Sequence, residues 1–317
     1  MKLLFVIDPL TSLKAYKDSS VAMMHAAAAR GHAVFATEGR QLSIRDGVVH
    51  AQCDALDVHH TDDWYAIQHT GAFRLKDFNA VVMRTDPPVD TDYLLVTQLL
   101  STAEANGANV LNRPACLRDF NEKLAILNFP RFIAPTQVSA DAAVINAFLD
   151  EQQDIIVKPL TEMGGNGIFR LTLTDPNRNA IVETLTRHGR RAIMAQRYLP
   201  AISEGDKRIL LIDGETVPWA LARIPKAGET RGNLAAGGTA RAQPLSARDR
   251  TLAETIAPWA KANGIFLAGL DVIGDCLTEI NVTSPTGFQE ITAQTGHDVA
   301  AQFIAAIERG FSNAIRP

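Results

Sequence analysis

Two segments of this 317-residue chain carry side chains suited to a phosphate-bearing ligand and a hard cation. In the first, Asp154-Ile-Ile-Val-Lys158-Pro159 reads as a buried strand ending on a lysine. Five residues after the lysine comes Met163-Gly164-Gly165-Asn166-Gly167, then an alternating strand over 168–173. A glycine-rich turn between two strands lets backbone N–H groups approach phosphate oxygens, with Lys158 as counter-charge. No Gly-Lys-Ser or Gly-Lys-Thr follows, so this is not a Walker loop. Taken alone, the turn equally fits an ordinary hairpin, and Lys158 a strand-edge lysine with a packed apolar stem.

The second segment joins Leu270-Asp271-Val272 to Thr278-Glu279-Ile280-Asn281-Val282. Glu279 and Asn281 are two apart in a strand and share a face, and with Asp271 they form an oxygen donor set suited to Mg²⁺. The plainer alternative is a solvated strand face. Parity separates these readings if 267–273 and 277–282 are antiparallel neighbours. A three-residue loop, Gly274-Asp275-Cys276, pairs Ile273 with Leu277 and Asp271 with Glu279. It gathers Asp271, Glu279 and Asn281 on one face, with Leu270, Val272, Ile280 and Val282 on the other. A hydroxyl-rich Thr283-Ser-Pro-Thr-Gly287 turn follows. Residues 225–238 hold four glycines and no aromatic residue, so a mobile lid is expected there, with Arg231 and Asn233 facing an anion.

The elements that must position these groups begin with a β-α-β pattern. A short apolar strand over 3–7 precedes a helix capped by Ser19 or Ser20 and stopped by Gly31, then a strand over 33–35. Residues 8–17 contain no glycine, so the opening lacks the turn chemistry of a dinucleotide-binding Rossmann unit. A strand over 80–83 runs into Arg84-Thr-Asp86-Pro-Pro-Val-Asp90. Arg84 and Asp18-Ser19-Ser20 thus fall in loops at strand carboxyl ends, where open α/β sheets meet ligands. Arg84 equally suits a structural pair with Asp86 or Asp90. Further on, the pattern predicts a helix over 92–106, a strand over 109–111 and a helix over 118–128 that carries Asn121-Glu122-Lys123. A strand over 192–196 leads into an Arg197-Tyr198-Leu199-Pro200 connection, and 207–212 with 215–223 form a hairpin.

Composition narrows the function class. Lysine plus arginine number 31 against 35 aspartate plus glutamate, a net charge of −4, which lacks the basic footprint of a nucleic-acid binder. No window approaches the ~18 apolar residues of a membrane span. The three cysteines share no metal-like spacing and leave an odd count, so a reducing, cytoplasmic setting is expected.

In this order the pieces resemble the bacterial glutathione synthetase family of ATP-grasp ligases. The resemblance is carried by KDSS from Lys17, MRTDPPVDT, NEKL, IIVKPL with MGGNGIFR, AQRYLP, GDKRILL, LARIP with GETRGNLAAGG, and LTEINVTSPTG, spanning residues 17 to about 290. It implies an α/β fold, α+β in its ATP-grasp part. A Rossmann-like, parallel-sheet substrate domain over 1–120 would precede a two-lobed ATP-grasp with antiparallel sheets. Its central lid lobe would span 121–200, and its C-terminal lobe 201–317, with the metal site and a flexible loop over 225–241.

By resemblance, Lys123 and Lys158 would hold ATP phosphates under the Gly164-Gly165 turn. Gln196, Tyr198 and Leu199 would face adenine, largely through backbone groups, with Asp206 near the ribose. Asp271, Glu279 and Asn281 would hold two Mg²⁺ ions, or Mn²⁺ in their place. Arg208, Arg223 and Arg231 would be the catalytic cations. Ser20, Arg84, Arg223, Arg231, Asn233, Ser284, Thr286 and Gly287 would lie on the substrate side. The implied reaction converts ATP, γ-glutamylcysteine and glycine into glutathione, ADP and phosphate through an acyl phosphate. The resemblance also implies a homotetramer, without nucleic-acid or membrane partners. Thr239-Ala240-Arg241 and the extreme C-terminus depart from the family pattern. The rival readings are another ATP-grasp carboxylate–amine ligase, or a non-catalytic ATP-binding module on the same fold.

Overall fold

The computed structural model describes residues 1–61, 63–226 and 238–315, with side chains described to residue 311. The apolar run at the N-terminus forms β1 (Lys2–Val6), and α1 (Ser19–Ala29) returns the chain to β2 (Ala33–Thr37), parallel to β1. The cap of α1 is Asp18 rather than a serine: its Oδ1 accepts from Ser20 N at 2.6 Å and Val21 N at 3.1 Å. Ser19 and Ser20 are buried inside the first turn. Three strands then add antiparallel pairs that the sequence reading passed over: β3 (Leu42–Arg45), β4 (Val48–Val58) and β5 (Tyr65–Arg74). β6 (Ala80–Met83), α2 (Thr91–Ala105) and β7 (Val110–Leu111) complete the unit. The seven-stranded sheet has the order β3-β4-β2-β1-β6-β7, with β5 on β4. Strands β2, β1, β6 and β7 are parallel, so the carboxyl ends of β1 and β6 carry their following loops to one edge.

A short α3 (Pro114–Asp119) follows, and the helix expected over 118–128 breaks there. Asn121 Oδ1 accepts from Lys123 N and Leu124 N, both at 3.1 Å, and Ile280 N donates to Glu122 O at 2.8 Å. Local capping and docking against a strand override the helical periodicity, leaving only a 3₁₀ turn at Leu124–Asn128. Glu122 and Lys123 therefore sit in a linker with their side chains turned inward.

The next sheet contains β8 (Thr136–Ser139), α4 (Ala142–Gln152), β9 (Asp154–Pro159), β10 (Phe169–Thr172), α5 (Arg178–Leu185) and β11 (Ile193–Arg197). Its four antiparallel strands run β10-β9-β11-β8. Ile155, Val157, Ile193 and Ala195 face α4 and α5 in a core with Ile145, Leu149 and Val182. Alternation puts Ile156, Lys158 and Gln196 on the opposite face.

The last sheet is built from β12 (Asp206–Ile212), β13 (Glu215–Ile224), β14 (Thr239–Pro244), α6 (Ala247–Ala262), β15 (Leu267–Ile273) and β16 (Cys276–Asn281). Helices α7 (Phe288–Thr295) and α8 (Val299–Ile315) follow. Its five strands are antiparallel, in the order β14-β13-β12-β15-β16. Ile209, Leu211, Ala220, Leu270 and Ile280 pack on Leu252, Ala253 and Ile256 of α6. The other face changes character along its length. Leu210, Ile212 and Leu267 meet Phe288, Phe303 and Ile304, whereas two to four residues away the same face presents Asp206, Arg208, Arg223 and Asp271.

The β15–β16 hairpin corrects the expected loop. Gly274-Asp275 forms a two-residue turn, with Ile273 opposite Cys276 and Val272 opposite Leu277. A bulge then takes Thr278 as the extra residue, after which Asp271 pairs with Glu279, Leu270 with Ile280 and Gly269 with Asn281. The bulge restores the parity that the turn alone would break, and Thr278 Oγ1 donates to Asp271 O at 3.1 Å.

Candidate active site

The three sheets enclose a cavity of about 790 Å³, within the ~300–1,000 Å³ typical of small-ligand sites. One wall is the four-stranded sheet with Lys158 and Gln196. A second is the five-stranded sheet with Arg208, Asp271 and Glu279, and a third is made by N-terminal loops with Asp8, Lys17 and Asp86. Of the expected site residues, Lys123, Gly164, Gly165, Tyr198, Leu199, Asp206, Arg223, Asn281, Ser284 and Thr286 also line it. Ser20, Arg84 and Gly287 do not. Arg231 and Asn233, and with them the expected lid, lie outside the described residues.

Lys123 and Lys158 reach the same place from different elements. Their Nζ atoms stand 3.7 and 3.6 Å from Glu279 Oε1, while Lys123 Nζ donates to Glu162 O at 2.6 Å and Lys158 Nζ to Thr278 O at 3.2 Å. Both lysines are buried. Burial pushes the Lys158 ammonium below its ordinary pKa, partly offset by Glu279. Two desolvated cations beside a cavity, each with donor capacity to spare, suit a polyanion. Above them Gly164 and Gly165 adopt φ of 66° and 82°, the left-handed region that a side chain disfavours.

The neighbouring charges form a tight cluster. Arg208 donates Nε to Asp271 Oδ1 and Nη2 to Asp271 Oδ2, both at 2.8 Å, and Arg223 Nη2 reaches Asp271 Oδ2 at 2.8 Å. Arg223 also bonds Asp206. Burial alone would raise the Asp271 pKa, but the Arg208 and Arg223 guanidiniums overcome it and hold the carboxyl well below its usual range. Asp206 goes the other way: burial pushes it up to about 6, against the pull of Arg223. Its Oδ1 is buried without a partner among the described residues. The expected ribose contact is therefore part of an arginine–carboxylate cluster.

The donor chemistry on this face fits a hard cation shared with phosphate oxygens. Asn281 Nδ2 donates to Gly269 O at 3.1 Å, which turns its carbonyl oxygen away unpartnered among the described residues. Among the described residues Glu279 makes ion pairs only with the two lysines, both beyond hydrogen-bond distance. Asp271 would have to exchange an arginine to join them. No group of three or more His, Cys, Asp or Glu arranged for a metal occurs among the described residues. The Glu279 carboxylate and the Asn281 carbonyl oxygen suit Mg²⁺, which takes one or two carboxylates plus substrate phosphates.

At the far end, Gln196 Nε2 donates to Thr136 Oγ1 at 3.0 Å and Tyr198 N to Asp154 O at 2.9 Å. One face of the Tyr198 ring carries the Arg170 guanidinium at 3.7 Å, itself fixed by Asp154. The Leu199 N–H has no partner among the described residues and remains the open backbone donor of this connection.

On the third wall, Arg84 pairs with neither Asp86 nor Asp90. Its Nε donates to Ser20 Oγ at 2.9 Å behind the cavity wall, its Nη1 is buried without a partner among the described residues, and burial lowers its pKa. Asp86 instead receives the Ser284 hydroxyl, and its N–H donates to Asp8 Oδ2 at 2.9 Å. Sequence reasoning missed Glu122. Its Oε1 accepts from Val282 N at 3.2 Å, Thr283 N at 3.3 Å and Thr283 Oγ1 at 2.8 Å, tying the hydroxyl-rich turn to the Lys123 linker. Burial raises its pKa, opposed by the Thr283 bonds. Its adjacency to Lys123 was the one available signal.

Two family models match. Residues 1–118 fit the prokaryotic glutathione synthetase N-terminal domain, and residues 122–296 the prokaryotic glutathione synthetase ATP-grasp domain. The glutathione synthetase of Neisseria meningitidis serogroup A is 57% identical over 97% of this chain and 98% of its own. That of Nitrosomonas europaea is 53% identical over 100% of both chains. Among solved structures, D-cycloserine synthetase DcsG superposes with a TM-score of 0.67 at 14% identity, covering 98% of this chain and 99% of that one. The ATP-grasp ligase PsnB, complexed with minimal precursor, Mg and ADP, gives 0.63 at 14% identity over 98% of each. At such identities these structures speak for the fold alone.

Proposed function

The chain belongs to the prokaryotic glutathione synthetase family, and from that membership we propose that it joins the cysteinyl carboxylate of γ-glutamylcysteine to the amine of glycine, converting ATP to ADP and phosphate. The observation that carries the reading is the convergence of Lys123 and Lys158 on Glu279, beside the Arg208–Asp271–Arg223 cluster, inside one cavity.

Phosphoryl transfer to a carboxylate needs positioning and charge neutralisation more than covalent help. We assign the polyphosphate to Lys123, Lys158 and the backbone of the Gly164-Gly165 turn, and adenine to the connection at Tyr198 and Leu199. Glu279 and Asn281 would hold Mg²⁺, with Asp271 available when it releases an arginine. The ion, when bound, supplies neutralisation of charge developing on the transferred group. We assign the reacting carboxylate or phosphoryl oxygens to Arg208, whose Nη1 is unpartnered among the described residues while its Nε and Nη2 are held by Asp271. Arg223 lies next to it. Ser284 and Thr286 offer hydroxyls to the peptide.

The cysteinyl carboxylate would attack the γ-phosphorus to give an acyl phosphate and ADP. The glycine amine, having lost a proton, would then attack the carbonyl carbon and release phosphate. The walls on three sides would limit the access of water to the acyl phosphate. Family membership likewise motivates two Mg²⁺ ions with Mn²⁺ as a substitute, a homotetramer and a cytoplasmic setting. Among the described residues no helix is long and apolar enough to cross a membrane.

The test is ADP release with γ-glutamylcysteine plus glycine, compared with each alone, and identification of the product by mass. ADP release that ignores glycine, or a product other than the tripeptide, contradicts the reading.

A further inference from the structure

The carboxylates on the N-terminal side of the cavity are not equivalent. Asp8, Asp18, Asp86 and Glu290 all line it. Asp18 Oδ1 is engaged by the first turn of α1, Asp86 accepts the Ser284 hydroxyl, and Asp8 accepts from Asp86 N. Glu290 differs. Its Oε2 is buried and has no hydrogen-bond partner among the described residues. Lys14 and Lys17 line the same cavity, yet no ion pair joins either to Glu290 among the described residues.

The position of Glu290 is fixed by its neighbours in α7. Gln289 Nε2 donates to Ala15 O at 2.6 Å and Asp18 O at 2.7 Å, Phe288 N donates to Ser19 Oγ at 3.3 Å, and the Phe288 side chain is buried. The first turn of α7 is therefore seated on the N-terminal unit. A buried carboxylate oxygen with no donor is costly unless a ligand supplies one. In the reaction assigned above the donors are few. ATP and the cysteinyl carboxylate are anionic, and the glycine amine must be neutral when it attacks. The α-ammonium of the γ-glutamyl group stays charged throughout.

We propose that Glu290 receives the α-ammonium of the γ-glutamyl group and so sets the preference for a γ-glutamyl dipeptide. This rests on the reaction assigned above and adds a specificity-determining residue to it.

The experiment measures calorimetric dissociation constants, with a non-hydrolysable ATP analogue present, for γ-glutamylcysteine and for glutarylcysteine, which lacks only the amino group. Wild type should prefer γ-glutamylcysteine by roughly 10- to 100-fold, the range for one charge-assisted hydrogen bond. Glu290→Gln, of the same shape, should bind the two peptides alike, and Glu290→Asp should keep part of the preference. Melting temperatures of both variants establish that they fold, and the KM for glycine should not move. Equal discrimination by wild type and Glu290→Gln overturns the proposal, as does a change confined to the KM for glycine. Turnover measured separately on the same wild-type preparation reports on the ligase reaction itself, so the two failures remain distinguishable.

Discussion

Arg208 grips Asp271 through two parallel hydrogen bonds, Nε to Oδ1 and Nη2 to Oδ2, each 2.8 Å long and both partners buried. Arg223 adds a contact to the same Oδ2 at 2.8 Å. The side chains expected to meet a cation and its anionic substrates are thus held on one another across adjacent strands. Ligand binding at this face must redistribute these contacts.

Replacing Asp271 with Asn leaves two buried guanidiniums without their counter-charge. Breaking a buried pair in this way costs about 3–5 kcal/mol. The pH sign follows from the lowered pKa in the fold. The stabilisation from Asp271 is present above its ordinary value of 3.8 and is lost as pH falls through the lower folded value. Urea denaturation should therefore show a large gap between wild type and variant at pH 7, narrowing on acidification. A gap that widens in acid contradicts the pairing.

Asp206 should behave oppositely. Its folded pKa of about 6 exceeds the ordinary 3.8, so the native state binds the extra proton between those values. Wild type should lose stability relative to Asp206→Asn as pH rises from 4 to 7, by on the order of 2 kcal/mol. Denaturation midpoints of the two proteins that run parallel across this range would remove the argument.

Glu122→Ala should be destabilising by about 2–4 kcal/mol, because the Val282 and Thr283 N–H groups lose their shared acceptor. Glu122→Gln keeps a carbonyl oxygen and should recover most of that loss. Thermal unfolding of both variants checks this, and equal melting temperatures would show that the three bonds contribute nothing.

Lys158→Met replaces a buried ammonium with a side chain of similar length. ATP binding should weaken by roughly 10- to 100-fold, the range of one charge-assisted contact. The fold should be retained, since burial already disfavours the charged lysine. Calorimetry that gives an unchanged affinity for ATP would take Lys158 out of the phosphate site.

Lys158, the glycine turn and the opposition of Asp271 to Glu279 were legible because strand alternation and turn chemistry are local signals. The hairpin loop was not: parity demanded an odd offset, and nothing in the sequence distinguishes a three-residue loop from a two-residue turn plus a bulge at Thr278. β5 escaped reading because it is largely exposed on both faces, so no apolar alternation marks it. The 118–128 segment carries helical periodicity, but the Asn121 side chain and the contact of Glu122 O with Ile280 N decide its course. Ser20 and Arg84 fall in the right loops, and only packing reveals that they bond to each other behind the wall.

If this cavity activates a carboxylate by phosphorylation before an amine attacks it, an oxygen of that carboxylate must leave with the phosphate. The most direct measurement supplies γ-glutamylcysteine carrying oxygen-18 in its cysteinyl carboxylate, together with ATP, Mg²⁺ and glycine, and determines the isotope content of the phosphate released. Transfer of one labelled oxygen to each phosphate is the predicted result. Unlabelled phosphate accompanying tripeptide formation would contradict the account.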